Sequence, residues 1–344
     1  MIAPIAWRTP PRHYGPWEQV TSLLTEALVK RGVDVTLFAT LDSLTSGKLD
    51  GVVPAPYSED PAIDAKVWEH RHLAHVFSQA KEFDLIHNQA DFPAHAFAAL
   101  VDTPVVTTIH GFSSERILPM YKPFEDRVSF VAISDADRHP ELRYAATIYH
   151  GIRVEDFPFD SIGSEDLLFF GRIHPDKGAR EAIEVARASE RRLHIYGIVQ
   201  DDAYYKHEVL PWIDGDRVIY HGPVGGAARA RALGKAHALL HLINFDEPFG
   251  LSVVEAMACG TPVIAIARGS MPELIDHGLT GFLVRDRETA LEALGLVGDI
   301  DRRTVRETVE QRFSVERMGD EYTALYEQIL SSRSSSRTLS RSEG

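Results

Sequence analysis

The sequence contains a single cysteine and no apolar run long enough to span a lipid bilayer. No disulfide can therefore form within the chain. Cys259 lies in the apolar stretch EAMACG, which predicts a packed thiol rather than a reactive one. The N-terminus lacks the pattern of a signal peptide. Together these absences favour a cytoplasmic protein.

Basic residues are scarce as well. The chain has 36 Lys and Arg residues against 50 Asp and Glu residues, a formal net charge of −14. This charge argues against general affinity for nucleic acid or for anionic membranes. The first half shares the imbalance, because residues 1–158 hold 14 basic and 21 acidic residues. An anionic ligand must therefore be held by a few well-placed cations rather than by the overall field.

The hydrophobic pattern predicts an α/β protein. Short apolar runs alternate with segments of helical period, which is typical of βα units around parallel sheets. Predicted strands in the first half lie near residues 2–6, 33–39, 85–87, 105–110 and 130–133. Those in the second half lie near residues 167–170, 193–196, 218–220, 238–242 and 262–265. Predicted helices include one around residues 20–28 that stops at Gly32, and three at 180–188, 227–234 and 252–258.

The length of 344 residues favours two domains. Residues 156–165 have neither helical nor strand period, and we place the boundary there: a first domain at 1–158 and a second at 159–311. A long amphipathic helix at 312–330 is expected to return to the first domain. Residues 331–344 are too polar to pack and are predicted to be a disordered tail. The first strand begins almost at Met1, which leaves open whether native residues precede it.

Two acids in the second half flank a turn and a helix start. Glu247 and Glu255 stand eight positions apart in EPFGLSVVE, separated by the turn Phe249-Gly250-Leu251. A glycine before a helix lets backbone N–H groups approach a ligand, and the helix N-terminus favours an anion. This arrangement suits a ligand with hydroxyl groups to bind and a phosphate to stabilise. For Glu255 an ion pair on a helix surface is the alternative interpretation.

Two cations follow the predicted strand LLFF in the sequence GRIHPDKG. Asp176 is a plausible N-cap for the next helix. The positive charge of Lys177 is unfavourable beside the partial positive charge of a helix N-terminus, unless a bound anion neutralises the lysine and the helix end together. Arg172 offers a planar fork to phosphate oxygens, and Lys177 offers a point charge. The alternative is a solvated pair on an ordinary loop.

Taken together, these motifs resemble those of retaining glycosyltransferases of glycosyltransferase family 4. The resemblance implies the GT-B fold, in which two doubly wound Rossmann-like domains face each other across a cleft. It also implies a metal-independent hexosyltransferase without a cofactor. Such an enzyme moves a hexose from a nucleotide-diphosphate sugar to a hydroxyl acceptor. The first domain would then be the acceptor side and the second would bind the nucleotide sugar.

The resemblance also implies roles for individual residues. Arg172 and Lys177 would grip the donor diphosphate. Glu247 would bind hydroxyls of the donor sugar, and Glu255 would bind the ribose. His110 ends the strand VVTTIH and would contact the donor sugar near its reacting carbon.

Backbone groups complete the expected donor site. The N–H groups of Phe249, Gly250 and Leu251 are expected to contact sugar and phosphate. Gly15 corresponds to part of a glycine-containing loop before the first helix, although this chain has Gly15-Pro16 where two adjacent glycines are usual. Gly197 and Val224 follow predicted strands and resemble the turns that receive the nucleotide base.

The donor and acceptor are less constrained. UDP-glucose is the preferred donor, with GDP-mannose next. The turns at Gly197 and Val224 do not indicate whether the nucleotide base is a purine or a pyrimidine. The compact length and the N-terminal loop look most like branches with small, soluble acceptors, such as pteridine glucosyltransferases and sugar transferases of antibiotic pathways. A sugar-nucleotide epimerase, a phosphorylase and a non-catalytic nucleotide-sugar-binding protein remain as alternatives. Neither nucleic acid nor stable membrane insertion is expected.

Overall fold

The computed structural model describes residues 1–112 and 114–342, with side chains as far as Ser332. The chain divides into two compact units. Unit 1 comprises Met1–Gly151 together with the chain from Val315 onward, and unit 2 comprises Ile152–Ser314. The sequence analysis placed the corresponding boundaries after residues 158 and 311.

All the strands described for unit 1 pair in parallel. They lie in the order β2, β1, the segment at Ile2, β3, β4, β5 and β6. The strands are β1 (Thr36–Thr40), β2 (Lys48–Val53), β3 (Ile86–Asn88), β4 (Val105–Ile109), β5 (Val128–Ala132) and β6 (Ala146–Thr147). The helices are α1 (Pro16–Lys30), α2 (Ala65–Ser78), α3 (His95–Ala98), α4 (Leu118–Tyr121) and α12 (Val315–Ser342).

The first predicted strand, at residues 2–6, is reduced to a single paired residue. Ile2 bridges both Phe38 and Asn88. Its N–H donates to the His87 carbonyl at 2.7 Å, and the Ala3 N–H donates to Phe38 at 2.9 Å. The pairing stops because Pro4 has no N–H to continue the ladder. Ile2 is nevertheless fully buried in the core of unit 1.

Helix α1 contains the helix predicted around residues 20–28 and packs against α12. Pro16 is its first residue, with Gly15 as the N-cap. The Arg31 Nε donates to Asp320 of α12 at 2.8 Å. The backbone of α12 is helical to Ser342, over a segment for which the composition predicts a disordered tail (331–344). Most side chains of that segment, and residues 343 and 344, lie outside the described part of the chain.

Unit 2 has one sheet of six parallel strands in the order β12-β11-β10-β7-β8-β9. Its strands are β7 (Leu167–Phe170), β8 (Leu193–Tyr196), β9 (Val218–Tyr220), β10 (Ala238–His241), β11 (Val263–Ile266) and β12 (Gly281–Val284). Its helices are α5 (Ala179–Ala188), α6 (Asp202–Tyr204), α7 (Gly226–Lys235), α8 (Leu251–Ala258), α9 (Met271–Leu274), α10 (Arg287–Leu294) and α11 (Arg302–Arg312). Counted within the unit, this is the doubly wound order 3-2-1-4-5-6. Its direction of winding reverses between β7 and β10, and such sheets bind ligands outside the carboxyl ends of the strands at that point.

Three further predictions and properties can be compared with the structure. Cys259 is fully buried, so the prediction of a packed thiol is confirmed. The predicted α/β class with two Rossmann-like units is also confirmed. None of the helices in the described residues combines the length and apolar character that crossing a membrane requires.

Candidate active site

The loops after β7 and β10 meet at the reversal point of unit 2. Gly178, between them, has φ 75° and is the N-cap of α5. A Cβ at this position would lie 1.9 Å from the carbonyl oxygen of Leu242, so only glycine allows the two loops to approach this closely. The Asn244 N–H also donates to the Asp176 carbonyl at 2.8 Å. These contacts bring Lys177 to the loop that carries Glu247.

The predicted N-cap at Asp176 is wrong. A 3₁₀ turn at Pro175–Lys177 intervenes before α5, and the helix starts after the left-handed Gly178. The side chain that caps the turn belongs to His174, whose Nδ1 accepts from the Asp176 N–H at 3.2 Å. Lys177 is therefore the last residue of the turn and precedes the first helical residue by two positions.

Lys177 and Glu247 form a largely buried ion pair. The Lys177 Nζ lies 2.5 Å from the Glu247 Oε2, and the two side chains are only 14% and 12% exposed. The ammonium also lies 4.4 Å from the centroid of the Phe245 ring, within cation–π distance. The motif residues separated by seventy positions in sequence are thus in direct contact.

A histidine that the sequence analysis did not single out completes this group. His241 is the last residue of β10, and its Nε2 lies 3.5 Å from the same Oε2 of Glu247. Burial alone would raise the pKa of Glu247, but His241 and the positive charge of Lys177 outweigh burial and lower the pKa to about 2. Glu247 is therefore ionised at neutral pH.

The turn before α8 is built by backbone geometry. Gly250 is the N-cap of α8 with φ 97°, and Leu251 is the first helical residue. The Phe249 side chain is buried and packs edge-on against Phe313, with ring centroids 6.1 Å apart. Phe249 can thus offer a ligand only its backbone, and its contact with the donor stays a prediction.

Glu255 lies inside α8 and is paired with an arginine from α7. Its Oε2 accepts a hydrogen bond from the Arg229 Nη2. Burial raises the pKa of Glu255, more than the charge of Arg229 lowers it. Arg229 also lies 5.2 Å from the ring centroid of Phe170. The sequence offers little signal for this pair, because an arginine in a helix such as ARARALGK is ordinarily solvated.

The remaining predicted residues of unit 2 are more dispersed. The Arg172 Nη1 donates to the Gln200 side chain, and no described contact joins Arg172 to Lys177 or Glu247. Gly197 follows β8, and its N–H donates to the Gly222 carbonyl at 3.0 Å. Val224 lies in the loop between β9 and α7, half-buried.

His110 belongs to unit 1, where it follows β4 and is buried. Its Nε2 donates to the Gln89 Oε1 at 2.6 Å, and its Nδ1 lies 3.3 Å from the His150 Nε2. The Trp17 ring stacks on the imidazole at 5.2 Å. Burial, followed by the proximity of His150, lowers the pKa of His110 well below its usual value, so the ring is neutral.

The His110 cluster extends to the C-terminal helix. The Gln89 Nε2 lies 3.1 Å from the His87 Nε2, and the His87 Nδ1 lies 2.5 Å from the hydroxyl of Tyr326. Gly15, the other predicted residue of this unit, lies before α1, where a Cβ would come within 3.0 Å of the Glu18 carboxylate. The sequence analysis singled out His110 and Gly15 but not Gln89 or Trp17, which contact the His110 ring.

Comparison with known proteins agrees with this architecture. The model of the family described as "Glycosyl transferases group 1" matches residues 158–295, and that of "Glycosyltransferase Family 4" matches residues 18–140. The D-inositol 3-phosphate glycosyltransferase of Streptomyces griseus is 40% identical over 271 residues, which cover 66% of this chain and 54% of that protein. The chain spans between a third and about half of the length of the curated relatives with which it was first matched.

Two solved structures share the fold over nearly the whole chain. AviGT4, a glycosyltransferase involved in avilamycin A biosynthesis, has a TM-score of 0.70 at 22% identity, covering 96% of this chain and 97% of that one. HepE of Anabaena, solved with UDP and glucose, has a TM-score of 0.70 at 19% identity, covering 90% and 95%.

Two doubly wound parallel units in one chain, with charged side chains at the reversal point of the second, define a GT-B protein. Both units match glycosyltransferase families in the corresponding order. The chain is therefore similar to the family 4 glycosyltransferases in unit 1 and to the group 1 glycosyl transferases in unit 2.

Proposed function

We propose that this protein is a retaining hexosyltransferase that uses a nucleotide-diphosphate sugar and a small hydroxyl acceptor. The observation that carries the proposal is the Lys177–Glu247 pair at the reversal point between β7 and β10. A cation and a carboxylate there match the two halves of a sugar nucleotide: a diphosphate needs positive charge, and a pyranose offers hydroxyl donors. In this proposal unit 2 (residues 152–314) binds the donor and unit 1 binds the acceptor.

Several groups of unit 2 would hold the donor. Glu247 is ionised and accepts hydroxyl hydrogens of the sugar, while the N-terminus of α8 at Gly250 and Leu251 faces the phosphate or sugar with its N–H groups. Glu255 accepts the ribose hydroxyls once Arg229 shares or releases it. The turns at Gly197 and Val224 receive the base.

The chemistry follows from the charge that develops on the leaving group. As the glycosidic bond stretches, negative charge builds on the diphosphate, and Lys177 and Arg172 stabilise this state more than the ground state. The departing diphosphate oxygen takes the proton of the acceptor hydroxyl on the same face of the sugar. The new bond then has the configuration of the old one, so an α-linked donor gives an α-linked product. NMR of the product anomeric proton tests this directly, since a β-linked product would contradict retention.

His110 enters the proposal with a condition. Both of its ring nitrogens already have partners, Gln89 and His150. A hydrogen bond from His110 to the donor sugar therefore requires that one of these partners be exchanged. The small, soluble acceptor is part of the proposal and rests on the compact length and the N-terminal loop before α1. A cytoplasmic location is part of the proposal and rests on composition alone.

The donor is best identified by a thermal-shift panel of nucleotide sugars. UDP-glucose is the first candidate, supported by the likeness to HepE in complex with UDP and glucose, and GDP-mannose is the second. A ligand at about 100 times its dissociation constant stabilises the folded state by about 2.7 kcal/mol. A rise of several degrees with one nucleotide sugar, and slow hydrolysis of that sugar without acceptor, is the expected result. Binding without any turnover would favour a non-catalytic protein, and interconversion of the sugar alone would favour an epimerase.

Activity is expected to persist in a chelator. Lys177 and Arg172 supply the positive charge that a divalent ion would otherwise bring to the diphosphate. Among the described residues, no three His, Cys, Asp or Glu side chains are grouped as metal ligands, and metal independence stays a prediction. The measurement is turnover with EDTA and after adding Mg²⁺ back. A loss of activity that Mg²⁺ restores would contradict it.

A further inference from the structure

His241 has an unusual position for a buried histidine. It is 4% exposed at the carboxyl end of β10, beside the loops that carry Lys177 and Glu247. Among the described residues, its Nε2 makes no hydrogen bond of normal geometry. The nearest acceptor is the Glu247 Oε2 at 3.5 Å. A buried nitrogen left without a partner is costly, so its retention here calls for an explanation.

The explanation lies in the competition for Lys177. In the structure, Lys177 neutralises the Glu247 carboxylate at 2.5 Å. The proposed function requires the same ammonium to stabilise the donor diphosphate. When the diphosphate attracts Lys177, Glu247 loses its main counter-charge while remaining buried, which is unfavourable for a carboxylate. The group placed to replace Lys177 is His241.

We propose that His241 is a positioning residue that becomes the hydrogen-bond donor to the Glu247 Oε2 when Lys177 turns to the diphosphate. A closure of less than 1 Å would bring the Nε2–H to a normal hydrogen-bond distance of about 2.9 Å. Glu247 then stays ionised, and its other oxygen keeps its orientation toward the sugar hydroxyls. His241 itself touches neither the substrate nor the reacting atoms. The inference rests on the proposed function and deepens it.

The electrostatics of the group agree with this geometry. Burial lowers the pKa of His241, the Glu247 carboxylate raises it, and the Lys177 charge lowers it. These are the charged groups that act on the imidazole. Removing the Lys177 charge should therefore raise the pKa of His241, and removing the Glu247 charge as well should reverse that rise.

The contact can be tested without any substrate. In histidine-labelled, ligand-free protein, NMR titration would follow the His241 resonance, identified by its loss in His241→Phe. We expect Lys177→Met to raise the pKa of His241, and Lys177→Met with Glu247→Gln to bring it back down. Unchanged His241 resonances in a folded Lys177→Met protein would refute the inference. This result would not depend on whether the protein is a glycosyltransferase.

The functional part is tested by kinetics with the donor found in the thermal-shift panel. His241→Phe removes the donor nitrogen at similar volume and should lower kcat/KM about tenfold, the size of one hydrogen bond to a charged group. It should also move the acid limb of the pH profile to higher pH, because Glu247 loses an interaction that lowers its pKa. His241→Gln retains an N–H donor and should recover most of the loss.

Two outcomes would contradict this role. An equal loss in His241→Phe and His241→Gln with an unmoved acid limb would mean that His241 only packs. Full activity of His241→Phe would mean that His241 has no effect on Glu247.

UDP binding, measured by calorimetry, is the control for folding. It should be nearly the same in both variants, which would show that unit 2 is folded. If no nucleotide sugar binds the unaltered protein, the proposed function fails while the NMR titration still decides the contact.

Discussion

In each unit, a buried histidine among the described residues lies at the carboxyl end of a parallel strand, and the two histidines have different neighbours. His110, after β4 in unit 1, is held by neutral groups: Gln89, His150 and the Trp17 ring. His241, at the end of β10 in unit 2, faces the charged pair of Lys177 and Glu247. Both rings have lowered pKa values through burial. The same residue type at the same kind of strand end thus lies in a neutral environment in unit 1 and in a charged environment in unit 2.

The two sites differ in whether they can offer a ligand a charged group. In unit 2, the ion pair leaves Glu247 ionised with a pKa of about 2, and a fixed charge is available for a polar ligand. In unit 1, His150 is also buried, and burial lowers its pKa to about 3. The His110 cluster therefore stays neutral at physiological pH and can orient a ligand by hydrogen bonds only. The chemical role of a histidine at a strand end thus depends on the charged residues beside it. The sequence of the strand does not predict those neighbours.

The largest effect is expected from removing the cation of the charged site. Lys177→Met should lower turnover at least tenfold, since a charge-assisted hydrogen bond contributes about 1.5–3 kcal/mol. It should also lower the free energy of unfolding by about 3 kcal/mol, because a mostly buried carboxylate loses its partner. Arg172→Ala should lower turnover by a similar factor with little loss of stability, because its described contact is a single hydrogen bond to Gln200. Steady-state kinetics and urea unfolding measure both quantities.

The matched control is Lys206→Met, at an exposed lysine of the same unit. It should change neither turnover nor stability. Unchanged turnover at saturating donor in both Lys177→Met and Arg172→Ala would remove these residues from the mechanism.

The charged site also shows how far the sequence could predict the molecule. The motifs led to Lys177 and Glu247 individually, because their residue types are typical of donor binding. Their direct contact depends on Gly178 approaching Leu242 within a distance that admits no side chain. His241 and Arg229 were not identified, because each acquires its role from a partner on another element. Such pairing is a property of packing rather than of spacing along the chain.

The fold was predicted best where the local pattern is strongest. The runs LLFF, LHIY and VIY are short, apolar and clearly bounded, and β7, β8 and β9 have the predicted limits. Strand β2, with the sequence KLDGVV, was missed because Lys48, Asp50 and Gly51 interrupt its apolar residues and the strand is only partly buried. Helix α2 was missed for a similar reason, since AKVWEHRHLAHVFS mixes charged and apolar residues with few buried positions. In both elements, tertiary contacts outweigh the local pattern.

The next effect separates the buried histidines from the Lys177–Glu247 ion pair by pH. His150 has a pKa of about 3 in the folded protein against 6.5 for an ordinary histidine. Between these values the unfolded chain binds one more proton than the folded chain, so stability falls as the pH is lowered. Each such histidine contributes a slope of about 1.4 kcal/mol per pH unit. Glu247 has its folded pKa depressed from 4.5 to about 2, so its contribution is present above pH 4.5 and is lost only below that value.

The window from pH 6.5 down to 4.5 therefore isolates the buried histidines from the ion pair. His150→Asn should reduce the slope of unfolding free energy against pH by up to about 1.4 kcal/mol per unit in this window. Urea unfolding at several pH values measures the slope. His207→Asn, at an exposed position, should leave it unchanged. An unaltered slope in His150→Asn would show that His150 is not held neutral by burial.

The smallest effect concerns the aromatic ring beside each site. Phe245 lies under the Lys177 ammonium at 4.4 Å, whereas Trp17 stacks on the neutral His110 ring at 5.2 Å. A cation–π contact contributes about 0.5–1 kcal/mol at exposed sites and more when desolvated, so Phe245→Leu should weaken UDP binding by about two- to fivefold. Phe245→Tyr keeps the π face and should bind UDP as the unaltered protein does. Trp17→Leu removes the stacking of Trp17 on the uncharged His110 ring. It should lower the free energy of unfolding by about 1 kcal/mol and leave UDP affinity unchanged. Calorimetric titration with UDP decides between them, and equal losses in Phe245→Leu and Phe245→Tyr would mean that the ring acts by shape and not by its attraction for the ammonium.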